Sequence, residues 1–178
     1  GHTFEFIDQF RNELPPIEAC GLNLSGASMA DTDLQQFIQQ QLEQYRIPPE
    51  KICFEITETA AIANLAQAMQ MIRELKQMGC KFALDDFGSG MSSFGYLKHL
   101  PVDYLKIDGS FVKNMTSDPI DAAMVAAINN IGHVMGLRTI AEFVENDAIR
   151  DALCALGVDY SQGYGVGKPL PAAALLEF

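Results

Sequence analysis

The sequence has few basic residues, and this shortage limits the partners that the protein can have. Lysine and arginine together number 12 against 23 aspartates and glutamates, which gives a formal net charge of −11. This balance argues against a protein that wraps nucleic acid with a basic surface, and we expect no DNA partner. An anionic substrate is still compatible with it where metal ions mediate the contact, because bound cations reverse the local electrostatics.

Paired cysteines and long apolar runs are also missing. The four cysteines form no CxxC pair and have no zinc-binding spacing: Cys20, Cys53, Cys80 and Cys154. They lie among apolar residues, which is typical of buried, reduced thiols in a cytoplasmic domain. No charge-free apolar run approaches about 18 residues, so the sequence predicts no membrane span. We expect a cytoplasmic location, with a parent protein that can be anchored to a membrane through segments upstream.

What the sequence does contain is a regular alternation of two patterns. Short apolar stretches rich in β-branched or aromatic residues predict six strands, at 20–26, 52–59, 81–87, 102–108, 137–145 and 159–166. Amphipathic patterns between most of them predict helices at 32–46, 64–79, 119–136 and 147–157. Strand and helix alternating in this way indicate βα units around a parallel sheet. The 178 residues contain no linker and no shift of composition, so we expect one domain.

Polar side chains fall toward the C-terminal end of nearly every predicted strand. They are oxygen ligands and one lysine: Asn23, Glu55, Glu58, Asp85, Asp86, Lys106, Asp108, Glu142, Glu145 and Gln162. In a parallel α/β barrel these strand ends share one face, and that face carries the active site. Adjacent carboxylates such as Asp85 and Asp86 repel each other, so we expect a cation between them and the other acids.

The residue types in this set indicate a particular kind of metal. Asparagine, glutamate and aspartate are hard oxygen donors, which suit Mg²⁺ or Mn²⁺. A pair of aspartates can bridge two ions about 3.5–4 Å apart, the spacing used in two-metal phosphoryl chemistry. Lys106 adds a positive charge that can hold an attacking water or help to deprotonate it. Each acid taken alone is also explained by a capped turn or a surface ion pair.

Six sequence blocks resemble a known family. They are "NLS" (23–25), "FEITET" (54–59), "DDFGSG" (85–90), "VDYLKIDGSFV" (102–112), "TIAEFVE" (139–145) and "YSQGYGVGKPLP" (160–171). In this order, from about residue 20 to the end, they resemble the EAL-domain family of bacterial cyclic di-GMP phosphodiesterases. The resemblance implies a TIM-like (β/α) barrel, two Mg²⁺ or Mn²⁺ ions, and hydrolysis of the second messenger cyclic di-GMP to linear pGpG. Residues 1–178 are accordingly interpreted as a partial EAL domain.

The resemblance also implies a role for each matching residue. Four residues match positions that hold the metal ions: Asn23, Glu55, Asp85 and Asp86. Two match positions that hold and activate the nucleophilic water: Lys106 and Glu142. Four match supporting or substrate-side positions: Glu58, Asp108, Glu145 and Gln162. Among the last group, Glu58 matches the glutamate that anchors the loop "FGSGMSS". In the family this loop couples metal and substrate binding to dimerisation, so a homodimer is expected.

Two features depart from the family pattern. Phe143 stands in "AEFVE" where glycine is more common, and both glutamates are kept. The Glu-Ala-Leu tripeptide is absent, because "EAC" at 18–20 directly precedes the strand with Asn23 whereas the family motif lies on an earlier strand. Six strands also fall short of the eight in a complete barrel. We therefore expect the N-terminal βα units to lie upstream, in a parent protein with GGDEF or sensor domains. We further expect this fragment to be poorly active and to cover its open sheet edges with a second copy.

Two other functions stay open at this point. Degenerate members of the family bind the nucleotide without cleaving it and act as receptors, although they usually lose metal ligands that this chain keeps. An unrelated Mg²⁺-dependent barrel enzyme could use Lys106 as a base, as in enolase-type sites; the ordered sequence blocks argue against it. Product analysis separates the three, because they yield pGpG, bound intact nucleotide, and isomerised or dehydrated acids respectively.

Overall fold

A single parallel sheet organises the protein. The computed structural model describes residues 2–9, 17–30, 33–89, 95–171 and 174. Its six strands lie side by side in chain order and every neighbouring pair is parallel. The strands are β1 (Cys20–Asn23), β2 (Ile52–Thr57), β3 (Lys81–Phe87), β4 (Tyr104–Ile107), β5 (Arg138–Ala141) and β6 (Tyr160–Ser161). All six predicted strands are therefore confirmed, with shorter bounds for most of them.

Helices connect the strands. They are α1 (His2–Gln9), α2 (Leu34–Gln44), α3 (Glu58–Ala63), α4 (Leu65–Gln77), α5 (Gly109–Val112), α6 (Pro119–Val134) and α7 (Asp147–Leu156). The four predicted helices correspond to α2, α4, α6 and α7. Pro119 lies in the first turn of α6, where Asp118 accepts a hydrogen bond from the Ile120 N–H at 2.8 Å. Within the described ranges, no helix has the length and apolarity that crossing a membrane requires.

The two faces of the sheet differ in what covers them. Side chains alternate along a strand, so Phe82, Leu84 and Leu105 point to one face and are fully buried in the main core beneath the helices. The opposite face carries a smaller cluster built around Cys53, Ala83 and Tyr104. A sequentially ordered parallel sheet with helices on its outer face is the winding of a TIM barrel. The structure thus has the predicted fold class, an incomplete TIM-like barrel.

The N-terminal ends of the strands are joined by one carboxylate. Glu18 accepts hydrogen bonds from the hydroxyls of Tyr160 at 2.7 Å and Tyr104 at 3.0 Å, and from the Lys81 ammonium at 3.3 Å. These bonds, that of Tyr160 foremost, outweigh the effect of burial and lower the pKa of Glu18 to about 2. Glu18 therefore links β3, β4 and β6 at the end of the sheet opposite the predicted site.

Candidate active site

A β-bulge brings both aspartates of β3 to the same end of the sheet. Leu84 pairs with Leu105 and Phe87 pairs with Ile107, so two residues of β3 stand opposite Lys106 alone. One of these two, Asp86, has a φ of 55°, in the left-handed region that aspartate tolerates better than most residues. Its N–H donates to Asp85 Oδ1 at 3.0 Å. In a regular strand consecutive side chains would point to opposite faces, so the bulge is what lets the pair act together.

Lys106 lies at the centre of a group of carboxylates. Its Nζ is 2.7 Å from Glu55 Oε2, 2.8 Å from Asp85 Oδ1 and 2.9 Å from Glu142 Oε1. Burial alone would lower the pKa of this lysine, but the hydrogen bonds to the three carboxylates outweigh burial and raise its pKa above the ordinary value. The ammonium therefore stays charged throughout the neutral range. It provides a fixed positive charge and is poorly suited to act as a base.

Three carboxylates form a compact acidic cluster beside this ammonium. Oxygen atoms of Asp85, Asp86 and Glu142 all lie within 4.8 Å of one another. Burial raises the pKa of Glu142, although Lys106 counteracts it. Burial also raises the pKa of Asp86, and the charges of Asp85 and Asp108 add to that effect. The short distances show that negative charge is crowded here, and hard oxygen donors at this spacing fit Mg²⁺ or Mn²⁺.

The two remaining predicted metal ligands lie on the neighbouring strands. Asn23 ends β1 and is paired in register with Glu55 of β2. Glu55 reaches the acidic cluster through its ion pair with Lys106. Its side chain also lies over Gly21, where an added Cβ would come within 2.4 Å of Glu55 Oε1. Glycine at 21 therefore leaves the space that the Glu55 carboxylate occupies. Metal-ligand roles for Asn23 and Glu55 stay predictions.

Glu58 anchors the backbone that follows the aspartates. Its buried carboxylate accepts a hydrogen bond from the Gly88 N–H at 3.1 Å and another from the Tyr96 hydroxyl. Burial and the Glu58 carboxylate both raise the pKa of Tyr96, which keeps this hydroxyl protonated as a donor. The predicted loop 87–93 lies partly outside the described residues. Gly88 at its start and Tyr96 in the segment after it both donate hydrogen bonds to Glu58. The sequence analysis did not identify Tyr96, because only the fold brings it to Glu58.

The other predicted supporting residues lie in two places, at the start of a helix and around a cavity. Asp108 accepts from the Ser110 N–H at 2.7 Å and so caps α5. Glu145 and Gln162 line a cavity of about 310 Å³ next to Glu142. The other lining residues are Phe143, Gly163 and Tyr164. Aromatic walls here were not foreseen, because the sequence analysis took Phe143 as a substitution without consequence and did not consider Tyr164. The sequence does contain a signal for them: Phe143 lies inside the acidic block "AEFVE", and Tyr164 lies inside the glycine-rich block "SQGYGVG".

Comparison with known proteins identifies the family of this chain. The family model for the EAL domain matches residues 1–169. The chain belongs to the EAL family. The match covers residues before 20, so the resemblance extends further toward the N-terminus than the sequence blocks indicated. Family membership confirms the predicted relationship and agrees with the incomplete TIM-like barrel.

Several EAL proteins are close to this one. The chain is 49% identical over 156 residues to the cyclic di-GMP phosphodiesterase PdeB of Shewanella oneidensis, which covers 88% of the chain and 18% of PdeB. The solved EAL domain of Mycobacterium smegmatis DcpA superposes with a TM-score of 0.93 at 28% identity, over 99% of the chain and 79% of that structure. The PaMucR phosphodiesterase in complex with c-di-GMP gives a TM-score of 0.91 at 32% identity, over 98% and 70% respectively. The EAL chain spans about a fifth of the length of the curated relatives it matches.

Proposed function

We propose that this EAL chain forms most of a divalent-metal phosphodiesterase centre that hydrolyses cyclic di-GMP to linear pGpG. One observation carries the proposal: Lys106 joins carboxylates from three other segments, and the bulge adds Asp86 to the same group. The relationship to PdeB, a cyclic di-GMP phosphodiesterase, and the fold shared with the PaMucR complex support the choice of substrate.

The proposed metal ligands are the acidic cluster together with Asn23 and Glu55, and we expect two ions of Mg²⁺ or Mn²⁺. When bound, such ions lower the pKa of a water molecule and stabilise negative charge on a phosphoryl group. The crowding of Asp85, Asp86 and Glu142 supports this assignment, because a cation between the three carboxylates relieves their mutual repulsion.

Lys106 and Glu142 are the proposed catalytic residues. The charge of Lys106 favours the deprotonated form of the attacking water. Glu142 Oε1 lies 2.9 Å from Lys106 Nζ, so its carboxylate is placed to accept the proton of a water molecule held at the lysine. The water oxygen forms a bond to phosphorus and its proton passes to Glu142. The bond from phosphorus to one ribose 3′ oxygen breaks, and that oxygen takes a proton from solvent, which gives pGpG.

The alternative functions have weaker support. A receptor that does not cleave the nucleotide would have no use for so complete a group of carboxylates around Lys106. An enolase-type enzyme requires a neutral lysine as base, whereas three carboxylates hold Lys106 in its charged form.

We further propose a cytoplasmic location, upstream GGDEF or sensor domains, and a homodimer. Free thiols at Cys53 and Cys80, both buried, support the reducing compartment. Within the described part of the chain, β1 and β6 end the sheet and each pairs with one neighbouring strand. Their remaining backbone groups favour pairing with a second copy. Light scattering that gives a monomer mass would contradict the dimer.

Product analysis tests the activity directly. The chain is incubated with cyclic di-GMP and Mn²⁺, and the nucleotides are separated by chromatography. We expect slow formation of pGpG, loss of this product in Lys106→Ala, and an unchanged rate in the control Lys98→Ala, which alters an exposed lysine outside the site. Binding of metal and nucleotide should persist in Lys106→Ala, because the lysine acts mainly on the water. Intact bound nucleotide without product would contradict catalysis and favour the receptor.

A further inference from the structure

One pair of side chains connects the two edges of the sheet. The outermost strands, β1 and β6, have four strands between them. Adjacent strands lie about 4.8 Å apart, so a flat sheet would separate β1 from β6 by about 24 Å. Glu18, which lies just before β1, nevertheless accepts a hydrogen bond from the Tyr160 hydroxyl of β6 at 2.7 Å. The sheet is therefore strongly curled, and this contact crosses the inside of the curl.

The contact belongs to a group of four donors around one carboxylate. Tyr104 and Tyr160 donate their hydroxyl protons to Glu18. Each hydroxyl in turn accepts a hydrogen bond from a cation, that of Tyr104 from Lys81 at 3.1 Å and that of Tyr160 from Arg138. Both cations also lie 3.3 Å from Glu18 Oε1. Hydrogen bonds joined in this way strengthen one another, and bonds to a charged group are the stronger kind. We call these five residues the Glu18 clasp.

Each donor of the Glu18 clasp stands at the start of a strand that leads to a predicted site residue. The pairs are Lys81 with Asp85, Tyr104 with Lys106, Arg138 with Glu142, and Tyr160 with Gln162. An even number of positions separates the two members of every pair, so both members point to the inward face of the sheet. The clasp and the candidate site are therefore the two ends of the same rows of side chains.

The distance between the clasp and the site is short. A single cavity of about 210 Å³ on the inward face is lined by Glu18 and Tyr160 of the clasp and by Glu55 and Gln162 at the site end. Asn23 is five positions beyond Glu18, which amounts to about 17 Å at about 3.3 Å per residue. A change in the curl of the sheet at the clasp therefore moves the strand ends that carry the site.

We propose that Glu18 is a positioning residue for the candidate active site, because the Glu18 clasp sets the curl that brings Asn23 on β1 toward Glu142 after β5. The inference rests on the proposed function, in which Asn23 and Glu142 hold metal ions in one site. Without the clasp, neighbouring strands keep their backbone pairing but the curl can open. Opening moves Asn23 away from Glu142 and weakens metal binding. A role limited to stability would lower the melting temperature and leave metal affinity unchanged.

Calorimetric titration with Mn²⁺ tests the proposal. Glu18→Ala removes the acceptor of the clasp, and we expect Mn²⁺ affinity to fall about fivefold or more. Glu18→Gln keeps an oxygen that accepts from both tyrosines, and it should bind Mn²⁺ within about twofold of the wild type. The control Asp118→Ala removes the cap of α6, and it should lower the melting temperature without changing Mn²⁺ affinity.

A second variant and a measurement without metal cover the case in which Glu18→Ala fails to fold. Tyr160→Phe removes the hydroxyl that reaches Glu18 but keeps the ring, and it should weaken Mn²⁺ binding as Glu18→Ala does. The double variant should lose little more than either single variant, because both remove the same contact. In NMR spectra of the metal-free chain, the side-chain amide signals of Asn23 should shift in either clasp variant and stay in place in Asp118→Ala.

The outcomes separate this inference from the proposed function. If the wild type binds Mn²⁺, and folded clasp variants bind it equally well with unshifted Asn23 signals, the positioning role is overturned and the proposed function stands. If the wild type does not bind Mn²⁺, the proposed metal site is overturned and the role of Glu18 in positioning metal ligands falls with it.

Discussion

Replacing Asp85 by asparagine separates metal binding from folding. Asp85 Oδ1 is 2.8 Å from Lys106 Nζ, and an attraction at this distance is worth about 6 kcal/mol at an effective dielectric constant of about 20. Its carboxylate also lies within 4.8 Å of those of Asp86 and Glu142, and each repulsion at that distance amounts to about 3.5 kcal/mol. The lost attraction and the two relieved repulsions nearly cancel. Asp85→Asn should therefore melt close to the wild type.

Metal binding should respond differently. A divalent cation is attracted by every carboxylate, so removing the charge of Asp85 weakens its binding and no opposing effect compensates for the loss. We expect Mn²⁺ affinity to fall at least about tenfold, or about 1.4 kcal/mol, in Asp85→Asn. Calorimetric titration at low ionic strength measures it. Asp151→Asn, at an exposed acid on α7, is the matched control. Equal Mn²⁺ affinity in Asp85→Asn and the wild type would refute the site, and a large drop in melting temperature would refute the cancellation.

Three further predictions concern the surroundings of the site. Tyr96→Phe removes the hydroxyl that donates to buried Glu58; we expect a loss of about 1–3 kcal/mol in unfolding free energy, measured by urea denaturation, and no loss would show that the contact is dispensable. Gly21→Ala places a Cβ within 2.4 Å of Glu55 Oε1, so Mn²⁺ affinity should fall with little change in melting temperature; unchanged affinity would exclude Glu55 as a ligand. Glu18 has a folded-state pKa of about 2 against 4.5 normally. Its contribution to the free energy of unfolding is therefore complete above about pH 4.5 and is lost as pH falls toward 2. The melting temperature of Glu18→Gln should therefore depend less on pH across this window than that of the wild type, and equal slopes would contradict the role of Glu18.

The sequence predicted the strands and the residues at their C-terminal ends because both follow from local rules. An apolar run marks each strand, and the alternation of faces places Asp85 and Lys106 on the side away from the helices. The convergence of the strand ends then follows from the parallel arrangement. Lys106 and Glu142 were accordingly expected on one face of the barrel, and their charged atoms are 2.9 Å apart.

Other features depend on backbone geometry or on contacts between distant segments, which local patterns do not encode. The bulge requires a left-handed backbone at Asp86 inside an otherwise regular strand, and the sequence "DD" is equally compatible with a strand that has no bulge. Tyr96 meets Glu58 across 38 positions of the chain. The packing of Phe143 on Gly109 needs the two loops to be adjacent in space. Helices α1, α3 and α5 were also missed; α3 and α5 are short and begin where a strand's polar end was expected.

The bulge also makes β3 one residue longer than β4 at this point. Phe87 is buried in the main core on the helix side, while the two residues before it serve the opposite face. Deleting Asp86 would leave Asp85 alone opposite Lys106 and would keep Phe87 opposite Ile107, so the strand would become regular and the core would keep its aromatic ring. The fold should therefore accept the deletion, whereas the site would lose one of its three clustered carboxylates. The extra residue serves the site and not the packing, and we expect catalytically active members of this family to keep two residues between Leu84 and Phe87.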